Sequence, residues 1–139
     1  KKHQAVIGGE GNGGVIYPEL HYGRDALVGI ALFLSQLAKS GKKCSELRKS
    51  YPDYYISKNK IKLTWQIDPD HILEQIKKQY QKEKIIDIDG VKIEFEKEWV
   101  HLRKSNTEPI IRIYAESYSH DSANDLAKKI MQEIQAITR

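Results

Sequence analysis

The ten residues RKSNTEPIIR, Arg103 to Arg112, constrain what this chain can fold into more than any other stretch. Ser105, Asn106, Thr107 and Pro109 are turn formers, because their side chains bond to nearby backbone or preset φ. In a strand ending at Arg103, that side chain shares a face with Trp99 and His101. After the turn, Arg112 falls with Ile110 and Tyr114, opposite Ile111, Ile113 and Ala115. Alternation of period two marks half-buried strands. The segment therefore reads as two strands, Trp99 to Arg103 and Ile110 to Glu116, with a polar turn mounted on a sheet.

That turn also carries chemistry. Arg103 and Arg112 each offer a planar fork of donors that matches the oxygens of a phosphate. Ser105, Asn106 and Thr107 add hydroxyls, an amide and free backbone N–H groups, and together these five residues are the candidate phosphate cradle. Glu108 repels an anion and is assigned a structural role. An ordinary hairpin turn would need the same Ser, Asn, Thr and Pro but neither arginine.

The surrounding pattern extends the sheet. Lys60 to Ile67 reads as a strand, and Asp68 followed by Pro69 reads as an N-cap with proline at the first helical position. Ile72, Leu73, Ile76 and Tyr80 stripe that helix. Lys84 to Ile88 and Val91 to Phe95 flank Asp89-Gly90, a strong hairpin signal. Ser119 to Thr138 closes the module as a helix, with Ala123, Leu126, Ala127, Ile130, Ile134 and Ile137 on one face. The expected fold is α+β, a mostly antiparallel sheet covered by two helices.

The first fifty residues are different. Ala5 to Ile7 reads as a buried strand running into the glycine-rich Gly8 to Gly14, and Val15 to Tyr17 continues until Pro18. Arg24 to Ser40 is an amphipathic helix that stops at Gly41, and a short helix follows around Cys44 to Lys49. Gly9, Gly11 and Gly14 satisfy GxGxxG, but no helix opens at Gly14, so the context argues against a dinucleotide site. The glycines instead let backbone approach a ligand closely, with Glu10 accepting bonds from neighbouring hydroxyls and Asn12 donating and accepting. Such a half-domain has too few strands to cover both faces of a parallel sheet. It is expected to dock on a second copy or to be partly disordered.

Composition excludes several classes. In 139 residues, 23 basic side chains nearly balance 19 acidic ones, for a formal charge of +4, which is too even to argue nucleic-acid binding. The single Cys44 rules out an internal disulfide framework and fits a reducing compartment, so cytoplasm is the default. The apolar run from Ala26 to Ala38 is too short to span a bilayer. His3, His71, His101 and His120 are dispersed, Glu19 with His21 makes only two ligands, and no metal site is expected here.

RKSNTEP resembles the phosphate-binding signature in the last domain of the α-D-phosphohexomutases, which shift phosphate between C1 and C6 of hexoses. GGEGNGG is similar to the sugar-binding loop of that family's third domain, although Asn12 stands where many members have serine and Gly14 where many have histidine. The resemblance implies a TATA-binding-protein-like last domain at 60–139, a hinge linker at 51–59, and the C-terminal part of an α/β sugar-binding domain at 1–50. It implies that Arg103, Ser105, Asn106, Thr107 and Arg112 hold the phosphate not being transferred, and Glu10, Asn12 and Gly13 the sugar. The family's phosphoserine loop and its Asp-Gly-Asp-Gly-Asp-Arg magnesium loop have no counterpart in these residues. The chain is therefore expected to be a C-terminal fragment without catalytic residues, inactive alone. Its partners would be a phosphosugar and the remaining domains of the enzyme, with no nucleic acid or membrane. Mg2+ would be bound elsewhere, and a hexose 1,6-bisphosphate would be the intermediate. Phosphoglucosamine mutase is the leading reading. Phosphomannomutase or phosphoglucomutase is the alternative, and a non-catalytic module binding phosphate or nucleic acid a more distant one.

Overall fold

The computed structural model describes residues 4–9, 13–64 and 66–138, and the chain divides into two compact units, Lys1–Pro52 and Asp53–Arg139. In the first unit, β1 (Gly8–Gly9) and β2 (Val15–Ile16) form a two-residue antiparallel ladder, with Gly8 opposite Ile16. Helix α1 (Ala26–Ser40) follows. Asp25 is its N-cap, accepting from the Val28 N–H, and Gly41 ends it in the left-handed region at φ 64°. A side chain at Gly29 would press on Val15 at 3.0 Å, so glycine lets the helix approach β2. Helix α2 (Cys44–Lys49) buries only Leu47.

The expectation of a buried strand at 5–7 is corrected. Val6 is 73% exposed and Ile7 53%, because the ladder begins after them and nothing described packs over them. Helix α1 likewise buries no residue, although Leu27, Ile30 and Leu34 lie at helical spacing.

The second unit is a five-stranded, fully antiparallel sheet in the order β3-β7-β6-β5-β4. Its strands are β3 (Tyr55–Lys62), β4 (Lys84–Ile86), β5 (Val91–Glu94), β6 (Trp99–Lys104) and β7 (Ile110–Ser117). Helices α3 (Pro69–Gln79) and α4 (His120–Ile137) share one core with a single face of that sheet. Ile72 and Ile76 of α3 and Ile130 and Ile134 of α4 meet Ile93, Leu102, Ile111 and Ile113, all at 1% exposure or less. Alternation sends the other half of each strand outward, leaving the second face open. Asp68 and Ser119 cap the two helices as their sequence signals require.

Three boundaries differ from expectation. Residues 55–59, expected in the linker, are the first five residues of β3, whose eight residues all pair with β7. Their inward positions are Tyr55, Ser57 and Asn59, and the two polar residues hide the period. Ser57 Oγ donates to Asn124 Oδ1 of α4 at 2.6 Å, and Asn59 Nδ2 donates to Ser57 Oγ at 2.9 Å. This satisfaction is what lets polar side chains face a helix. The strand accordingly ends at Lys62 rather than Ile67. The Asp89-Gly90 hairpin is also looser than expected, because β4 stops at Ile86 and Ile88 is 88% exposed at the tip.

Candidate phosphate site

The β6–β7 turn is held at its neck by Ser105 N–H donating to Ile110 O at 3.0 Å. Leu63 N–H, just past β3, donates to Pro109 O at 2.7 Å. Lys104, inside the signature, points to the helical side, where its Nζ donates to both carboxylate oxygens of Asp70 at 2.7 and 2.6 Å. That ion pair fastens the turn to the first turn of α3. Between them lies a hollow of 300 Å³ lined by Thr64, Ile67 and Pro69 on one side and residues 105–109 on the other. Thr107 N–H donates weakly to Ser105 Oγ at 3.4 Å.

The structure brings Ser105, Asn106 and Thr107 together in this hollow, with Glu108 also on its wall. Neither guanidinium lines it. Arg103 and Arg112 are direct cross-strand partners on the open face of the sheet, and Lys60 is opposite Arg112 on the next strand. Both arginines stand two residues from the neck, about 7 Å along a strand. Like charges directly opposite destabilise a sheet, so this row of three cations is an electropositive strip held at a cost. Among the described residues neither Lys60 nor Arg112 has an ion-pair partner. A shallow groove of 260 Å³ beside them is lined by Lys58, Asn59, Lys60, Arg112 and Tyr114. Arg103 does have a partner, since its Nε lies 3.1 Å from Asp89 Oδ1 at the β4–β5 tip.

Glu10 and Asn12 lie outside the described residues. Gly13 is described, and its φ of 88° places it in the region that favours glycine. His21 Nδ1 accepts the Gly23 N–H and its Nε2 donates to Asp25 Oδ2, both at 3.0 Å, so this histidine braces the start of α1. The Asp25 carboxyl is held below its usual range, first by the Val28 N–H and then by His21. Among the described residues no three His, Cys, Asp or Glu side chains converge as a metal site.

Sequence reasoning missed Thr64, Asp70 and Asp89 as neighbours of the site. Lys104 carried a signal, since alternation sends it to the helix side of the sheet. Thr64 and Asp70 carried none, because their distance from the turn is set by folding alone.

Fold and site define an antiparallel α+β module with a basic strip beside a hydroxyl-rich turn. Residues 60–133 match the family described as phosphoglucomutase/phosphomannomutase, C-terminal domain, and residues 1–55 match its alpha/beta/alpha domain III. The chain belongs to the phosphoglucomutase/phosphomannomutase family. It is 40% identical over 137 residues to a phosphoglucomutase/phosphomannomutase of Thermococcus kodakarensis, covering 95% of this chain and 30% of that protein. It is 38% identical over 133 residues to a phosphoglucosamine/phosphogalactosamine mutase of Sulfurisphaera tokodaii, covering 94% and 29%. A crystal structure of a family protein from Burkholderia thailandensis shares the fold, with TM-score 0.69 at 20% identity over 97% of this chain and 29% of that one. The chain thus spans about 30% of the length of the curated relatives it matches.

Proposed function

We propose that this chain is the phosphate- and sugar-gripping part of a phosphohexomutase, and that the intact enzyme interconverts glucosamine 6-phosphate and glucosamine 1-phosphate. The observation that carries the reading is the juxtaposition of Arg103 and Arg112 in register beside the neck of the Ser105–Thr107 turn. A phosphate dianion over that neck relieves the repulsion between two guanidiniums and receives charge-assisted bonds, each contributing roughly 1.5–3 kcal/mol. Glu10, Asn12 and Gly13 hold the sugar hydroxyls.

Anchoring the phosphate that does not react directs binding energy to orienting the one that does. A paired fork of donors is indifferent to which end of a hexose 1,6-bisphosphate it receives, as an exchange of ends requires. Glucosamine phosphate is favoured by the GEGNGG loop and by the aminosugar mutase among the relatives. The other sugar reading, a phosphomannomutase or phosphoglucomutase, is favoured by the Thermococcus relative. Catalytic serine and magnesium belong to the remainder of the enzyme, which is also the natural partner of α1. In its absence the chain self-associates through Leu27, Ile30 and Leu34.

An NMR titration of the 139-residue chain with glucosamine 6-phosphate, inorganic phosphate and glucosamine tests this. Shifts at Ser105 to Thr107, Arg103 and Arg112 with both phosphates, and at Gly13 only with the sugar, are the expected result. No response at either loop, in this chain and in the intact enzyme, would overturn the assignment.

A further inference from the structure

The β4–β5 tip is fastened to β6 at the point where the sheet presents Arg103. Gly90 sits at φ 78°, and a Cβ there would lie 2.2 Å from Leu102 O and 3.1 Å from Arg103 Cα. His101 Nε2 donates to Asp89 O at 2.6 Å. On the other side of the tip, Lys77 of α3 donates to the Asp87 carboxylate, and that hydrogen bond holds the Asp87 carboxyl below its usual range. The backbone of residue 89 is thus tied to β6 and the start of its loop to α3, and its carboxylate is delivered to Arg103 Nε at 3.1 Å.

As a stability device this contact has little value. Arg103 is 54% exposed and Asp89 60%, and exposed ion pairs contribute little to folding. As an orienting device it has a clear effect. A free arginine side chain samples many rotamers beside its like-charged neighbour Arg112, which would drive the two apart. The carboxylate lies at ion-pair distance from Nε, the nitrogen nearest the stem, and so restricts where the guanidinium sits while its outer nitrogens remain for a ligand.

We infer that Asp89 is a positioning residue of the phosphate site: it holds the Arg103 guanidinium in a preset orientation beside Arg112, so that a phosphomonoester meets a formed fork. This rests on the phosphate reading of Arg103 given above. Asp89 touches Arg103 and does not itself touch the ligand. Its negative charge opposes the incoming phosphate, and the inference is that orientation outweighs that repulsion. Immobilising a side chain of this kind in advance corresponds to about 2- to 10-fold in affinity.

The test is inorganic phosphate binding to the full 139-residue chain, followed by NMR at two salt concentrations, for the wild type and Arg103→Ala, Asp89→Asn and Asp89→Glu. Asp89→Asn is close to isosteric and leaves the backbone contacts of Gly90 and His101 in place, and unchanged urea unfolding confirms it. The expected result is strong loss with Arg103→Ala, about 2- to 10-fold weaker binding with Asp89→Asn, and partial rescue with Asp89→Glu. The ratio of wild type to Asp89→Asn persists at high salt, because it reports geometry and not a screened charge. If Arg103→Ala weakens binding and Asp89→Asn does not, or binds tighter, Asp89 is a competitor or a bystander and the inference fails while the phosphate reading stands. If Arg103→Ala binds like the wild type, or the wild type does not bind, the phosphate reading fails and takes this inference with it.

Discussion

Gly90→Ala should be the most damaging single-methyl change in the second unit, and its cost can be built from the structure. At φ 78° an alanine enters the left-handed region, which costs about 1–2 kcal/mol. Alanine also stiffens the unfolded chain, which returns about 0.4–1 kcal/mol. A second contribution is steric. The new Cβ would lie 2.2 Å from Leu102 O, and Leu102 cannot retreat, since it pairs with Val91 on one side and Ile113 on the other. The tip must lift away, breaking the His101–Asp89 bond for about another 0.5–1.5 kcal/mol. The net expectation is about 0.5–3 kcal/mol, or a fall in Tm on the order of 2–25 °C for a domain of this size. Urea unfolding followed by tryptophan fluorescence measures it. Gly90→Asn separates the causes, because asparagine tolerates the dihedral but keeps the Cβ. If asparagine restores wild-type stability, or if alanine costs under about 0.5 kcal/mol, the close approach to Leu102 is wrong and the reasoning fails.

Asp68→Ala removes the side chain that accepts the Asp70 N–H at the start of α3, and a loss of about 1 kcal/mol in chemical denaturation is expected. The Glu94 carboxyl is held down at about 2, against an ordinary 4.5, by hydrogen bonds from Lys84 and then Lys92. A lowered folded-state value means stability present above 4.5 and lost as pH falls toward 2. Glu94→Gln should therefore flatten the acid limb of stability against pH in that window, and an unchanged limb would contradict it. Leu27→Lys on the uncovered face of α1 should abolish concentration-dependent self-association in sedimentation. A wild type that is monomeric at every concentration would refute the association itself.

Much of this protein is written locally. Helices α3 and α4, their caps Asp68 and Ser119, and the pairing of the strands around RKSNTEPIIR follow from hydrophobic period and turn chemistry. Both signals depend on neighbours a few residues apart. The open face carrying Arg103 and Arg112 follows from alternation alone. The start of β3 did not, because its inward Ser57 and Asn59 look like linker residues until Asn124, far along the chain, supplies the bond that makes their inward, half-buried placement tolerable. The exposure of Val6 and Ile7 was equally illegible, since an apolar run does not say whether anything packs over it. At the site, the sequence determined which groups exist to bind an anion: two guanidiniums, two hydroxyls and an amide around one turn. Only tertiary structure decided their company, setting Asp70 on Lys104, Asp89 on Arg103 and Lys60 beside Arg112. Those contacts join residues distant in the chain, and their geometry comes from sheet order and helix packing, which no local spacing encodes.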